Sequence, residues 1–422
     1  MAIEVCGGSR VQGTLRVQGS KNAVLPIMAA SVLCQGETVI TNCPDITDVH
    51  AMSEVIRRIG GQVTYEKNCL VIDSSAVGTG AIEEEKVKEI RASVLFLGSL
   101  LARFSKVKIH YPGGCSIGSR PIDFHLQGFN KMGVATSECG EYICCEAADG
   151  LCGAEITFPF PSVGATENII LAAVLADGIT RIRNAAREPE IMELCGFLRR
   201  MGARIQGDGS SLLEIQGVRR LNPVQWKLGT DRIALLTWCM MAAGCGGDVF
   251  LESTLGLSKS EAGILSALGC DVWHNPVGIR VCQRSVPQPV SYLCTKPYPG
   301  FPTDGQSFLM AALCKGSGVS ILEEGIFENR FRMIRQLRKM GANIDAVSNR
   351  ACITGVTRLH GADVGADDLR SGAGLLIAAA MAEGVSRVSG EHYIYRGYEA
   401  VEEQLQMLGI RAGRKAALEP AG

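Results

Sequence analysis

Apolar and polar positions follow a pattern that recurs along the whole chain. An amphipathic helix ends in an apolar residue and a glycine, and a short strand of alternating polarity follows, as at 62–65. The six copies end at Ile59-Gly60, Met132-Gly133, Met201-Gly202, Leu268-Gly269, Met340-Gly341 and Leu408-Gly409, and the spacing between them is nearly regular. Glycine readily adopts the left-handed conformation in which many helices end. The pattern therefore predicts six equivalent helix ends.

A second type of helix, more apolar and rich in alanine, alternates with the first. Its six copies are predicted at 22–33, 93–104, 165–176, 231–244, 303–316 and 369–384, and their starts recur at the same interval. Helices that are apolar on nearly all sides must be buried, whereas the first type keeps one polar face for solvent. The chain is therefore predicted to consist of six α/β units of about 70 residues.

The six units are expected to form two α/β domains of three units each. No low-complexity segment separates them, and the natural boundary lies near Gly229-Thr230, between the third and fourth units. The predicted domains are 21–229 and 1–20 together with 230–422. In this arrangement the N-terminal segment 1–20 completes the last unit by pairing with the C-terminal half.

Composition and charge exclude several classes of protein. Of the 422 residues, 46% are hydrophobic and 20% are charged, which is typical of a globular protein. The 42 Lys and Arg balance 43 Asp and Glu, so no overall basic field is available to hold nucleic acid. The N-terminus lacks a secretion signal, and no apolar run approaches the roughly 20 residues of a membrane span. The 17 scattered cysteines, without paired CxxC spacing, predict reduced thiols in a cytoplasmic protein without a metal site.

Polar residues gather at the starts of the predicted helices. Ser93 and Thr303 are interpreted as ordinary caps, but Lys21, Arg91 and Arg370 oppose the helix dipole unless an anion binds nearby. Arginines also begin the amphipathic helices, at Arg120, Arg187, Arg330 and Arg396. From these residues alone two interpretations stay open: a converging anion site, or arginines paired with carboxylates. The candidate carboxylates are Glu188, Glu190 and Glu328.

The loop at 112–121 is the most informative stretch. Three glycines surround Cys115, and Arg120 follows five residues later. A thiol on a glycine-rich loop can be brought to a ligand as a proton donor or nucleophile, although one of 17 cysteines can also be inert core filler. The glycines do not form a P-loop, since no Gly-Lys-Ser/Thr follows. His125, at a helix start, either contacts a ligand or caps the helix.

Nine short motifs occur in order along nearly the whole chain. They are GSKNA at 19–23, RAS at 91–93, GGCSIGSRPID at 113–123, SVGAT at 162–166, AAREPE at 185–190, FPTD at 301–304, ENRF at 328–331, DLR at 368–370 and RGY at 396–398. Each is weak alone, but together they resemble the enolpyruvyl transferases that use UDP-N-acetylglucosamine. The resemblance implies two inside-out α/β domains, each of three βαβαββ units, joined by a hinge. It also implies transfer of the enolpyruvyl group of phosphoenolpyruvate to the sugar 3′-hydroxyl with release of phosphate, the first committed step of peptidoglycan synthesis.

The resemblance also implies roles for individual residues. Cys115 would protonate C3 of phosphoenolpyruvate, form a phospholactoyl adduct and be the target of fosfomycin, and Asp304 would be the base at the sugar hydroxyl. The groups that would clamp phosphoenolpyruvate are Lys21, Asn22, Arg120 and Arg396, of which Lys21 and Arg396 also count as catalytic. The groups that would hold the UDP-sugar are Arg91, Arg120, Pro121, Ile122, Asp123, Phe124, Ser162, Val163, Gly164, Asp304 and Ile326. No metal or organic cofactor is needed, and the expected partners of a monomeric chain are its two small-molecule substrates, without nucleic acid or membrane.

Three positions depart from the family pattern. Ala234 lies in TDRIALL at 230–236 where the family has Pro-Asp-Arg-Ile-Glu-Thr-Gly, Phe160 replaces a common lysine, and Arg332 begins Arg-Met in place of Met-His.

Two alternatives are weighed against the main interpretation. One is the sister enzyme that acts on shikimate 3-phosphate, which shares the fold but lacks the Gly-Gly-Cys loop. The other is a non-catalytic paralogue that binds UDP-sugars, and the presence of Cys115 and Asp304 argues against it.

Overall fold

The structure, a computed structural model, describes residues 1–78, 80–82, 91–111 and 122–415. These residues divide into two units. The C-terminal unit contains Met1–Gln18 and the chain from Thr230 onward, and the N-terminal unit contains the described chain between Gly19 and Gly229. Within the described residues, no helix combines the length and the apolar character that crossing a membrane requires.

The chain opens with two strands of the C-terminal unit, β1 (Ala2–Gly7) and β2 (Val11–Arg16). The elements of the N-terminal unit follow in the order α1 (Lys21–Ser31), β3 (Glu37–Thr41), α2 (Thr47–Arg58), β4 (Gln62–Glu66), β5 (Cys69–Asp73), β6 (Gly80–Ile82), α3 (Phe96–Phe104), β7 (Lys106–His110), α4 (Asp123–Lys131), β8 (Ala135–Cys139), β9 (Tyr142–Glu146), β10 (Glu155–Thr157), α5 (Val163–Ala173), β11 (Ile179–Arg183), α6 (Pro189–Met201), β12 (Arg204–Gln206), β13 (Leu212–Gln216) and β14 (Gln225–Lys227). A 3-10 turn, Arg91–Leu95, precedes α3.

The C-terminal unit continues with its remaining elements. They are α7 (Arg232–Cys245), β15 (Gly247–Glu252), α8 (Lys259–Ala267), β16 (Asp271–Asn275), β17 (Gly278–Gln283), β18 (Leu293–Cys294), α9 (Gln306–Cys314), β19 (Val319–Glu323), α10 (Ile334–Lys339), β20 (Asn343–Val347), β21 (Arg350–Thr354), β22 (Asp363–Gly365), α11 (Leu369–Met381), β23 (Gly384–Ser389), α12 (Glu391–Ile394), α13 (Val401–Met407) and β24 (Arg411–Lys415). The 3-10 turns Thr303–Gly305 and Arg330–Met333 precede α9 and α10.

Each unit contains three four-stranded sheets of one topology. In one of them β6 runs parallel to β7, β7 pairs antiparallel with β9, and β9 pairs antiparallel with β8. With α3 and α4 between the strands, this is a βαβαββ unit. The same order recurs as β14-β3-β5-β4, β10-β11-β13-β12, β2-β15-β17-β16, β18-β19-β21-β20 and β22-β23-β1-β24. The predicted fold class, two α/β halves of three such units, is confirmed.

Three strands join sheets that are remote from their own place in the chain. β14, the last strand of the N-terminal unit, lies parallel to β3 in the first sheet of that unit. β1 pairs with β23 and β24, as predicted for the N-terminal segment. β2 instead pairs with β15, so the segment 1–20 completes the fourth unit as well as the last, which corrects the sequence prediction. These pairings close each unit on itself.

The apolar helices lie inside and the sheets lie around them. In the N-terminal unit α3 packs against α1 and α5, and in the C-terminal unit α7, α9 and α11 pack against one another. Every residue of α7 from Arg232 to Gly244 is buried. Several strands alternate between buried and more exposed residues, as β3 and β13 do. This is the inside-out arrangement, since helices rather than strands occupy the centre of each unit.

The six glycines that end the amphipathic helices all have positive φ. The angles range from 82° at Gly409 to 111° at Gly202. A Cβ at Gly60 would lie 2.5 Å from the carbonyl oxygen of Ala76, whereas no described atom lies within 4 Å of a Cβ at Gly409. The two positions therefore share the backbone requirement and differ in the space around it.

This difference predicts unequal costs for one substitution. Gly409→Ala should lower the free energy of unfolding by about 1 kcal/mol, because a side chain disfavours the left-handed conformation. Gly60→Ala should cost at least twice as much, since its Cβ also meets backbone. Urea unfolding of both variants measures the costs. Equal losses would mean that the contact at Ala76 relaxes freely.

Candidate active site

Asp304 lies in the 3-10 turn before α9, where two arginines contact its carboxylate. Nη2 of Arg330 donates to Oδ1 at 2.7 Å. Arg370 donates to Oδ2 from Nε at 3.0 Å, and its Nη2 lies 2.8 Å from the same oxygen. Both guanidinium groups are buried, but the Asp304 side chain is 24% exposed. Two adjacent cations favour the charged form of a carboxylate. The site thus presents a fixed, partly accessible carboxylate.

Helix starts in successive repeats place these three side chains. Asp368 caps α11 and accepts the backbone N–H groups of Arg370 and Ser371 at 2.8 and 3.0 Å. Arg330 begins the 3-10 turn before α10, and its Nη1 lies 4.0 Å from Asp368. Burial is the largest single influence on the pKa of Arg370 and acts to lower it, but the charges around the group, that of Asp304 first, and the hydrogen bond with Asp304 together outweigh burial and raise the pKa above its ordinary value. Arg370 therefore remains a cation.

For two of the arginines the structure shows pairing with a carboxylate, but the carboxylate is not one of those that the sequence suggested. Arg330 and Arg370 are paired with a carboxylate, but their partner is Asp304 rather than Glu328. Ser93 and Thr303 do not cap the helices, because each lies in a 3-10 turn and the α-helix begins three residues later. The pairing therefore builds a cluster around the predicted base.

Glu324 connects the predicted sugar-binding residue Ile326 to the turn that carries Asp304. Its Oε1 accepts the hydroxyl of Thr303 at 2.9 Å and the N–H groups of Ile326 and Phe327 at 3.0 and 3.2 Å. The ring of Phe327 lies 5.2 Å from the guanidinium carbon of Arg330. Two predicted residues, Asp304 and Ile326, are thus brought together. The sequence pattern did not single out Glu324.

Arg396, half-buried, follows the short helix α12 beside the start of α11. A Cβ at the next residue, Gly397, would lie 2.7 Å from a methyl of Leu369. Gln18 holds this segment, because its Nε2 donates to the carbonyl of Gly397 at 3.0 Å and its Oε1 accepts the N–H of Glu399 at 3.1 Å. Arg396 therefore lies next to the helical turn that carries Arg370.

Lys21 occupies the corresponding helix start in the N-terminal unit. It is the first residue of α1, and its Nζ lies 2.7 Å from Oδ2 of Asp48 on the first turn of α2. The two side chains are only 9% and 6% exposed. Asn22, beside Lys21, is half-buried. Asp48 was missed in the sequence, where its only signal is an acidic residue early in a helix.

The predicted sugar-binding residues of the N-terminal unit lie at two helix starts. Ile122–Phe124 begin α4, with Ile122 buried and Asp123 exposed, and 162–164 begin α5. The Ser162 hydroxyl accepts the N–H of Ala165 at 3.4 Å, an ordinary cap. A Cβ at Gly164 would lie 3.4 Å from Cε1 of His125 on α4. The two helix starts therefore lie side by side.

His125 has buried hydrogen-bond partners and does not cap the helix with its side chain. The amide nitrogen of Asn168 lies 2.9 Å from Nδ1 of His125 and 2.8 Å from the carbonyl of Val94. The amide oxygen of Asn168 accepts the N–H of Gly98 at 2.8 Å. This network fixes α4 and α5 against α3.

Several predicted site residues belong to the part of the chain that is not described. Cys115, Arg120 and Pro121 lie outside the described residues, as does the side chain of Arg91. Among the described residues, no group of three or more His, Cys, Asp or Glu side chains is arranged to hold a metal ion.

A protein-family comparison decides the relationship of the chain. Residues 5–405 match the family model described as EPSP synthase (3-phosphoshikimate 1-carboxyvinyltransferase). The chain belongs to this family.

Curated members of the family resemble the chain over nearly its whole length. "UDP-N-acetylglucosamine 1-carboxyvinyltransferase 2" of Caldanaerobacter subterraneus subsp. tengcongensis is 42% identical, with 96% of this chain and 97% of that protein covered. "UDP-N-acetylglucosamine 1-carboxyvinyltransferase" of Saccharophagus degradans is 43% identical, with 97% and 98% covered. The resemblance to the UDP-N-acetylglucosamine-using members is confirmed, and the chain is an enzyme.

Solved structures of family members share the fold. The enolpyruvyl transferase NikO from Streptomyces tendae matches with a TM-score of 0.86 at 23% identity, covering 97% of this chain and 98% of that chain. EPSP synthase from Acinetobacter baumannii matches with a TM-score of 0.73 at 17% identity, covering 98% and 100%. At these identities the matches show the fold alone.

The three residues that depart from the family pattern are found in a helix-cap hydrogen bond, an ion pair and a turn hydrogen bond. Ala234 is buried in α7, where its N–H is accepted by the capping carboxylate of Asp231 at 2.9 Å. Nε of Arg332 lies 2.9 Å from Oδ2 of Asp367, a half-exposed ion pair. Phe160 is an exposed aromatic residue whose carbonyl accepts the N–H of Ser162 at 2.8 Å. None of these contacts involves Asp304.

The buried carboxyl group of Glu167 lies near two glutamates of the AAREPE segment at 185–190. Glu167 on α5 is buried, and burial, to which the charges of Glu190 and Glu188 add, holds its pKa well above the ordinary value. Glu167 is thus protonated in the fold at a pH where the unfolded chain would ionise it.

Glu167→Gln should therefore stabilise the protein, and the gain should grow with pH. As pH rises above the ordinary glutamate pKa of about 4.3, the unfolded wild type loses a proton that the fold retains, so wild-type stability falls. Glutamine escapes this loss. Urea unfolding at pH 5 and pH 8 measures the trend, with Glu214→Gln as control, since Glu214 pairs with Arg181 at a half-exposed site. A gain that is the same at both pH values would contradict the prediction.

Proposed function

We propose that the chain transfers the enolpyruvyl group of phosphoenolpyruvate to the 3′-hydroxyl of UDP-N-acetylglucosamine and releases phosphate, the committing step of peptidoglycan synthesis. The names of relatives at 42% and 43% identity support these substrates. The observation that carries the proposal is the carboxylate of Asp304, held by Arg330 and Arg370 and partly open to solvent. We also propose a cytoplasmic location, supported by the free thiols of the described cysteines.

Asp304 has the properties of a base at the sugar hydroxyl. Both of its oxygens are oriented by arginine, and its side chain is 24% exposed, so a ligand can reach the carboxylate. The sugar hydroxyl becomes acidic as its oxygen begins to bond to C2 of phosphoenolpyruvate, and its proton can then pass to the carboxylate.

The acid in this proposal is Cys115. Its thiol proton goes to C3 of phosphoenolpyruvate, positive charge develops at C2, and the sugar oxygen attacks there while its proton goes to Asp304. The tetrahedral adduct then loses phosphate from C2 and returns a proton from C3 to the Cys115 thiolate, which restores the double bond and the thiol, and Asp304 passes its proton to the leaving phosphate. Fixed charges nearby stabilise these steps without reorganisation.

Basic side chains and helix starts suit the anionic parts of both substrates. Lys21 and Arg396, with Asn22 and Arg120, are proposed to bind the phosphate and carboxylate of phosphoenolpyruvate. The Asp48 carboxylate holds the ammonium of Lys21 in a buried position, so the charge is preorganised. The starts of α4 and α5 adjoin, and we propose that they face the diphosphate of the nucleotide, because the N-terminus of a helix favours an anion.

The test is phosphate release from phosphoenolpyruvate with UDP-N-acetylglucosamine or shikimate 3-phosphate as acceptor. We expect release with the UDP-sugar alone, a loss of kcat of about 10²-fold or more in Cys115→Ala and Asp304→Asn, and little change in the control Asp363→Asn. Asp363 is an exposed carboxylate in the same unit that lies 3.7 Å from Arg387.

The other outcomes would indicate a different function. Release with the shikimate ester alone would assign the chain to the sister reaction. No release with either acceptor, in a folded protein that binds UDP-N-acetylglucosamine, would favour the non-catalytic paralogue.

A further inference from the structure

Tyr398 contacts the part of the Arg370 guanidinium group that faces away from Asp304. The residue is 1% exposed, and its ring packs edge-on against Trp238, with ring centres 6.5 Å apart. Its hydroxyl lies 3.5 Å from Nη1 of Arg370 and 2.6 Å from the hydroxyl of Thr237 on α7. The tyrosine thus links the arginine that holds the proposed base to a central helix.

The direction of each hydrogen bond in this link is determined by chemistry. Thr237 donates its single proton to the carbonyl of Ile233 at 2.8 Å, so its oxygen accepts from Tyr398. Arginine has no acceptor, so Nη1 of Arg370 donates to the tyrosine oxygen. The chain therefore runs from Arg370 to Tyr398, to Thr237 and to the helix backbone. Burial raises the pKa of Tyr398 to about 12, so the hydroxyl keeps the proton that the chain needs.

The two ends of the guanidinium group have different partners. Nε and Nη2 face Oδ2 of Asp304, whereas Nη1 faces Tyr398. Because the guanidinium group is planar and rigid, fixing Nη1 also fixes the direction of the opposite edge. The contact with Tyr398 therefore bears on the orientation of the Asp304 carboxylate.

The backbone around Tyr398 is held from both sides. Gln18 bonds to the carbonyl of Gly397 and to the N–H of Glu399, the two neighbours of the tyrosine. A cavity of about 10 Å³ adjoins Tyr398, Thr237 and Trp238. This volume is at the lower limit of what a single water needs.

We propose that Tyr398 is a positioning residue, which anchors Nη1 of Arg370 to Thr237 of α7 and so holds the opposite edge of the guanidinium group against Asp304. The inference rests on the proposed function, in which Asp304 is the base. Tyr398 itself contacts no reacting atom.

The experiment compares Tyr398→Phe, Thr237→Val and Thr237→Ser. Tyr398→Phe should lower kcat about tenfold and leave KM for UDP-N-acetylglucosamine within about threefold, because a displaced base slows the reaction more than it weakens binding. Thr237→Val should also lower kcat, and Thr237→Ser, which keeps the hydroxyl, should retain wild-type kcat. The double variant Tyr398→Phe/Thr237→Val should be no slower than Tyr398→Phe, since both changes break one chain.

Tyr395→Phe is the matched control. Tyr395 lies three residues earlier on the same segment, and its hydroxyl bonds to Glu402 rather than to Arg370. It should leave kcat unchanged. An unchanged kcat in Tyr398→Phe, or an equal loss in Tyr395→Phe, would overturn the proposal.

A crystal structure of Tyr398→Phe tests the positioning role independently of the proposed reaction. If the wild type releases no phosphate with either acceptor, the proposed function fails, and the structure still decides the positioning role. An Arg370 guanidinium rotated away from Asp304 supports that role. An Arg370 that keeps its 2.8 and 3.0 Å contacts overturns it.

Discussion

The carboxylate of Asp304 contacts two buried guanidinium groups, and three helix starts of the C-terminal unit meet at that cluster. Arg330 and Arg370 come from the fifth and sixth repeats, and Asp304 comes from the turn that opens α9. An unpaired charge inside a protein is so unfavourable that removing one partner of a buried pair costs about 3–5 kcal/mol. The three helix starts are therefore constrained to meet at one point, and that constraint fixes the position of the proposed base.

The same arrangement occurs elsewhere in both units. Lys21 pairs with Asp48 at the start of α1, and Arg232 pairs with Glu261 at the start of α7, with an Nη1–Oε1 distance of 3.0 Å. Replacing a buried ion pair with apolar side chains is often neutral or stabilising, so stability alone gives little reason to keep such pairs. Basic residues at the starts of buried helices agree with the proposal that Lys21 and Arg396 are preorganised charges for an anionic substrate.

Much of the fold could be predicted because it repeats. The apolar-Gly spacing predicted the helix ends, and all six glycines have the expected positive φ. The partner of β2 could not be predicted, since alternation of polarity marks a strand without indicating its neighbour. Asp48 and Glu324 were missed for a similar reason, because a carboxylate early in a helix or after a strand has many possible roles. Single-residue contacts such as that of Tyr398 with Thr237 join positions 161 residues apart and leave no local pattern.

The double role of Asp304 determines how its variants must be interpreted. Alanine would remove the base and also leave Arg330 and Arg370 without this carboxylate, so lost activity would be mixed with lost folding. Asparagine keeps the shape of the side chain and one acceptor oxygen, which can serve Arg330, while its amide group faces Arg370 without charge. If kcat falls by more than the unfolded fraction of that variant accounts for, the additional loss is chemical in origin. Stability and activity must therefore be measured on the same preparation, because the charge that orders the helix starts is also the charge that is proposed to take the proton.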